Sequence, residues 1–246
     1  MKIFNLVYAL LLMLFSLKFF KANKEFKNKR IAVIGAADSV FKQKNGKIID
    51  GYDIVIRVNK APHSWKQNDK EYLGSKFNLL YHSFYENNFS GGGAINWEYF
   101  DLLGIEKVIN PIHTKKGLTA HLNYYRRHQK LKDTYMLSSK DYRQASKELQ
   151  GYKPTIGFMA LSTVLNSGCK EIFITGFTFF KTAYAKGYRD ELQDLDVNKT
   201  HIEQQGLHNP ELEFRAFKKA LTTSQCKSIL MDEDLLNILL QGDLKG

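Results

Sequence analysis

The stretch IAVIGAADS, Ile31 to Ser39, sets four apolar residues in succession ahead of a glycine and a short polar turn. Successive apolar residues with β-branched members mark a strand buried on both faces, as in a parallel sheet covered by helices. The same pattern returns at DIVIRV (Asp53 to Val58), FNLLYHS (Phe77 to Ser83), KVINPI (Lys107 to Ile112), EIFITG (Glu171 to Gly176) and KSILM (Lys227 to Met231). Between these runs the spacing predicts helices over 96–103, 118–130, 140–149, 157–166, 210–221 and 234–241. The alternation predicts an α/β fold, a Rossmann-like α/β/α sandwich around a mostly parallel central sheet, with ligands beyond the C-terminal ends of the strands. Two regions fall outside the alternation and read as lids or binding loops: Phe89 to Ala94, with three consecutive glycines, and the polar stretch Thr182 to Gln205.

The chain has 246 residues, 43% hydrophobic and 25% charged, a composition that excludes disordered, collagenous and coiled-coil classes. Four prolines and no Ser/Gly-rich stretch leave little material for a linker, so one main domain is expected. Two cysteines, Cys169 and Cys226, allow at most one disulfide, and no Cys/His spacing approaches a zinc site. The net charge of +11 invites a nucleic-acid reading until its distribution is considered. Lys18, Lys21, Lys24, Lys27, Lys29 and Arg30 stand together against Glu25 alone, while the body has no basic run interleaved with aromatics. No nucleic-acid partner is expected.

Ahead of those lysines lies an uncharged apolar run, Ile3 to Leu17, without a small-residue cleavage site after it. It reads as an uncleaved membrane anchor, single-pass or peripheral, with residues 1–29 forming anchor and basic stem and 30–246 the catalytic domain. The lysines after the run favour a cytoplasmic body. A helix lying on anionic lipid and a buried helix of the fold are the competing readings.

Several segments carry candidate chemistry. The turn Gly35-Ala36-Ala37-Asp38-Ser39 leaves a strand where this architecture meets phosphate, although it lacks the further glycines of a dinucleotide fingerprint and the Gly-Lys of a P-loop. Asn59 follows the second strand of the pattern, where a side-chain amide can donate and accept at once. Thr155 precedes a helix that it is placed to cap, with Ile156 and Gly157 at the helix N-terminus. In LHNPELE, Asn209 is a good N-cap and Pro210 a good first residue, so His208 lies just outside a helix N-terminus. The positive end of the helix dipole disfavours imidazolium there and leaves a neutral ring able to accept a proton.

In their order along the chain these segments resemble the sialyltransferases, specifically the animal-type inverting enzymes that use CMP-sialic acid. IAVIGAADSVFKQKNGKIIDGYDIVIRVNKAP looks like that family's large motif, and LGSKFNLLYHS follows it as the family's Gly-Ser/Thr-Lys segment does. PTIGFMALSTVLNSGCKEIFITGF resembles the small motif, THIEQ the short one, and HNPELE the very small motif with its His and Glu five apart. The resemblance covers roughly residues 30 to 222. It implies the sialyltransferase variant of the GT-A fold, a CMP-sugar donor and a glycan acceptor on glycoprotein, glycolipid or lipopolysaccharide. It implies no metal cofactor. His208 would be the base on the acceptor hydroxyl and His201 would contact the leaving phosphate. Gly35 and Asn59 would hold CMP, Thr155, Ile156 and Gly157 would lie near phosphate and sugar, and Glu213 would support them.

The departures also carry expectations. Ala36 stands where the family usually has Asn, so a donor contact would come from elsewhere, for which Asp38 and Ser39 are the candidates. Ile31 takes the family's cysteine position while Cys169 keeps its partner's, so the family's disulfide cannot form. That loss fits a reducing compartment and a microbial or viral setting; a Golgi-type membrane with a lumenal body is the alternative. The interval from His201 to His208 is shorter than the family's. A CMP-Kdo-type transferase and a catalytically inactive, membrane-tethered nucleotide-sugar-binding module are the competing functions.

Overall fold

The strands are β1 (Leu17–Phe20), β2 (Arg30–Ile34), β3 (Ile54–Val58), β4 (Leu79–Tyr81), β5 (Lys107–Asn110), β6 (Thr134–Leu137), β7 (Glu171–Thr175) and β8 (Ile229–Met231), in a computed structural model that describes residues 2–87 and 91–243. They form one sheet in the order β1-β6-β5-β4-β3-β2-β7-β8, every neighbouring pair parallel. The helices are α1 (Lys2–Ser16), α2 (Ala22–Phe26), α3 (Gly46–Asp50), α4 (Ala61–Ser64), α5 (Lys70–Leu73), α6 (Trp97–Leu102), α7 (Lys115–His128), α8 (Ser139–Ser146), α9 (Ile156–Leu165), α10 (Leu195–Gln205), α11 (Pro210–Thr222) and α12 (Glu233–Asp243).

The continuous apolar runs are explained by layers on both sides of the sheet. Ile31 and Val33 of β2 pack with residues of α2, α8, α9 and α11, whereas Ala32 and Ile34 pack with Ile49 of α3, Tyr52 and Val40. Successive side chains of a strand point to opposite faces, so a strand covered on both is largely apolar; the buried exception in β3, Arg57, donates to Lys76 C=O at 3.1 Å and Leu73 C=O at 2.6 Å. A third cluster joins Leu80 and Val108 of the sheet to Phe100 of α6, Tyr124 of α7 and Ala9 and Leu12 of α1.

From β2 the chain steps outward through β3, β4 and β5 to β6, then returns to place β7 on the other side of β2. The two connections leaving β2 and β7 therefore diverge and open a crevice at the C-terminal ends of these strands, where such sheets bind ligands. Gly35 and Gly176 stand at this point. A Cβ on Gly35 would meet the carbonyl oxygen of Gly176 at 2.1 Å, so the two departing loops can pass only because neither carries a side chain.

The expected boundary at residue 30 falls inside the fold. β1 extends the sheet beyond β6, with Leu17 opposite Thr134 and Phe20 opposite Leu137. Phe20, Ala22 and Phe26 are buried in the main core. The helix α1 lies against α7, and among the described residues no helix is long and apolar enough to cross a membrane. A fifteen-residue apolar run reads alike as anchor or packed helix, and only its partners separate the two. The partners cover one side: Ile3, Phe4, Leu14 and Phe15 remain more than two-thirds exposed.

One open pairing is filled and one expectation is corrected. Cys169 and Cys226 are bonded to each other, with Cα atoms 4.7 Å apart, tying the end of α9 to the segment before β8. The cysteine missing at Ile31 thus leaves no thiol unpaired. The stretch 182–205 is not a loop throughout, since α10 fills its second half, capped by the Asp194 side chain at the N–H groups of Asp196 and Val197. The other loop, 89–94, lies partly outside the described residues.

Candidate active site

A cleft of about 480 Å³ opens at the crevice between β2 and β7. Ala36 and Ala37 line it from the end of β2, Asn59 from β3, Ser83 from beyond β4, and Gly176 to Phe180 from β7. The N-terminus of α9 enters with Thr155, Ile156 and Gly157, and α10 and the start of α11 bring His201, His208 and Glu213. Of the ten expected site residues, seven therefore line one cavity.

Asn59 ends β3 in the left-handed conformation, φ 47°, which its short polar side chain tolerates better than most. Its N–H donates to Tyr81 C=O at 2.8 Å, and its side-chain oxygen accepts from Ser83 N–H at 3.2 Å. The amide is thereby turned at a strand end and steadied from β4.

Thr155 caps α9, its Oγ accepting from Phe158 N–H at 3.1 Å. Behind it Glu213 accepts from Thr155 N–H at 2.6 Å and from Thr155 Oγ–H at 2.9 Å. Glu213 is 2% exposed, and burial pushes its carboxyl up to about 8 despite the two bonds from Thr155 that favour the ionised form. With no cation paired to it among the described residues, desolvation prevails, and the group is largely protonated at neutral pH.

His208 lies beside this clamp. Its Nδ1 is 2.7 Å from Lys153 C=O, a group that can only accept, so Nδ1 carries the proton and Nε2 keeps its lone pair. Burial lowers the imidazole below its ordinary range, more than the bond to Lys153 raises it. The ring is thus neutral near pH 7, with its tautomer fixed. His201, on α10, is also lowered, first by desolvation and then by the charge of Arg189, and its Nε2 lies 2.9 Å from Gln205 Nε2.

Three N–H groups of the Gly35 turn are engaged within the fold. Gly35 N–H donates to Thr175 C=O at 2.8 Å, Ala37 N–H to Gly176 C=O at 3.1 Å and Asp38 N–H to Ala183 C=O at 3.0 Å. A segment after β7 pairs with the turn through an Ala37↔Tyr184 bridge and uses those donors. Gly35, Asp38 and Ser39 are absent from the cleft lining; Asp38 and Ser39 sit in the 3-10 turn behind it, Ser39 buried.

Sequence reasoning missed the wall that this segment builds: Tyr184, Tyr188, Arg189, Leu192 and Asn198 all line the cleft. The aromatic density of 177–188, FTFFKTAYAKGY, was the available signal. Lys116, Lys153 and Arg189 supply three cations to the lining, and Glu213 is the single carboxyl among its described residues. With that carboxyl largely neutral, the cleft favours an anionic ligand.

A parallel sheet with a ligand-sized, electropositive cleft at its switch point defines a nucleotide- or phosphosugar-binding α/β protein. The model of glycosyltransferase family 29 (sialyltransferase) matches residues 1–225, and the chain belongs to that family. A mammalian sialyltransferase solved with Gal-beta-1-3GalNAc-ortho-nitrophenol shares its fold at a TM-score of 0.57 and 16% identity, over 90% of this chain and 77% of that one. The sialyltransferase CstII of Campylobacter jejuni, solved with cytidine-5'-monophosphate, gives a TM-score of 0.52 and 16% identity over 85% and 83% of the two chains. The α-2,3-sialyltransferase Cst-I of the same organism gives 0.54 and 15% over 89% and 80%. Sialyltransferase-like protein 2 of Arabidopsis thaliana is 53% identical over 53 residues, 21% of this chain and 11% of that relative's length.

Proposed function

We propose that this chain moves sialic acid, or a related acid sugar, from a CMP-activated donor to a hydroxyl of an acceptor glycan with inversion. The observation that carries the reading is His208. A neutral imidazole of fixed tautomer shares one cleft with the Asn59 amide and the N-terminus of α9. In the reaction His208 Nε2 takes the proton of the acceptor hydroxyl, whose oxygen bonds to the anomeric carbon from the face opposite CMP. The bond from that carbon to the phosphate oxygen breaks, and CMP leaves with the electron pair. His201 and the free N–H groups at the start of α9 stabilise the departing charge, and this donor set acts without a metal ion in the proposed reaction.

The test is transfer from CMP-Neu5Ac to a panel of galactosides, with EDTA present. Wild type is expected to release CMP at a rate EDTA does not change, and His208→Ala to lower it roughly 10²–10⁴-fold while CMP still binds. Turnover of CMP-Kdo alone would transfer the assignment to that donor. CMP binding without turnover of either donor would make the chain a binding module.

The exposed side of α1 supports a second element of the proposal, peripheral attachment to an anionic membrane. Ile3, Phe4, Leu14 and Phe15 are followed directly by exposed Lys18, Lys21, Lys24, Lys27 and Lys29. An apolar face beside a basic cluster suits the lipid interface, while the docked face of α1 and the pairing of β1 hold the helix on the body.

A further inference from the structure

Among the cations of the cleft, Arg189 is set apart by its depth. Its side chain is 10% exposed, whereas Lys116 is exposed and Lys153 is half-buried. Its backbone is held by a turn, Tyr188 N–H donating to Ala185 C=O at 3.0 Å and Leu192 N–H to Arg189 C=O at 2.9 Å. The same segment is pinned to the end of β2, since Ala185 N–H donates to Ala36 C=O at 2.8 Å. The guanidinium is thus fixed to the floor of the cleft by a short path through the backbone.

Glu191 accepts from Arg189 Nε at 2.8 Å, but it is half exposed and outside the lining. The Glu191 carboxylate thus holds Arg189 from outside, while the Arg189 side chain itself lines the cleft. Sharing the cleft with Arg189 are polar groups suited to phosphate oxygens, the Tyr184 hydroxyl and the imidazole of His201; the Tyr188 ring stacks on Tyr184 at 5.5 Å while its own hydroxyl donates to Val58 C=O at 3.4 Å. All three line the same cleft as Arg189, and Tyr188 is its neighbour in the chain.

We infer that Arg189 is the cation that binds the phosphate of the CMP donor, with His201 beside it. The inference rests on the transferase reading and gives that site a residue outside every motif the sequence offers. Phosphate is favoured over the carboxylate of the sugar because a guanidinium, an imidazole and a phenol line this cleft, a donor set that suits the three oxygens of a phosphate better than the two of a carboxylate. A guanidinium also matches phosphate with paired N–H donors, which an ammonium cannot reproduce.

The test is calorimetric titration of CMP and of cytidine into wild type, Arg189→Gln and Arg189→Lys. Wild type should prefer CMP. Arg189→Gln should weaken CMP roughly 10- to 100-fold, the scale of a lost hydrogen bond to a charged group, with cytidine binding unchanged to within about twofold. Arg189→Lys should fall between them. Retained cytidine binding establishes that the variant is folded. Equal losses for the two ligands, or no loss for either, overturn the assignment, as does a loss seen for CMP-Neu5Ac but not CMP, which would put Arg189 on the carboxylate. If wild type binds neither CMP nor cytidine, the transferase reading itself fails.

Discussion

The two ends of the sheet were written in different ways. Around β2, β3 and β7 each strand is a largely apolar run followed by a glycine or an asparagine, and the structure uses both parts of that signal. The run is buried between layers, and the terminal residue turns the chain at the cleft. At the β1–β6 edge neither part is present. LKFF lies within an apolar stretch and TYML between KLKD and SSK, so the edge exists only through its pairing. A site at a switch point constrains both the strands and their ends, whereas an edge constrains only contact.

The comparison fails if the edge is dispensable, and Phe26→Ala is the largest test of that. Phe26 is wholly buried beneath the sheet, and its truncation should cost about 3–5 kcal/mol in denaturant unfolding. A loss near zero would restore residues 1–29 as a stem. Next comes Glu213 on the cleft side. Its carboxyl titrates at about 8, above the unfolded group, so the folded state holds that proton more tightly. The stability it contributes is complete below the ordinary carboxylate range and is lost as pH climbs through about 8. Glu213→Gln should flatten that decline in Tm, and a wild-type profile parallel to the variant's would show the clamp to be ionised. The smallest stability effect belongs to the outer face of α1. Phe4→Glu with Phe15→Glu should change stability by no more than about 0.5 kcal/mol and abolish sedimentation with phosphatidylglycerol vesicles. Retained sedimentation would put the membrane contact elsewhere.

What was legible follows from the same contrast. Thr155, His208 and Glu213 could be found because helix starts have a local grammar of caps, prolines and early carboxylates. Their joining in one clamp could not, since Thr155 and Glu213 are far apart in the chain. The helix α10 escaped notice because, among its eleven residues, only Asn198 and Ile202 are buried, too few to set a period. Asp194 before it and the left-handed Gly206 after it were the available marks. At Gly35 the missing side chain accommodates Gly176, a packing reason that lies outside any local motif.

The pairing of β1 with β6 sets an order for assembly. Leu17 finds its partner only at Thr134, so a segment made early must wait for more than a hundred residues before its edge can close. Loop closure over such a span comes late on entropic grounds. During synthesis the greasy α1 therefore leaves the ribosome long before α7 is there to cover it, and in that interval it is a target for chaperones and for any nearby bilayer.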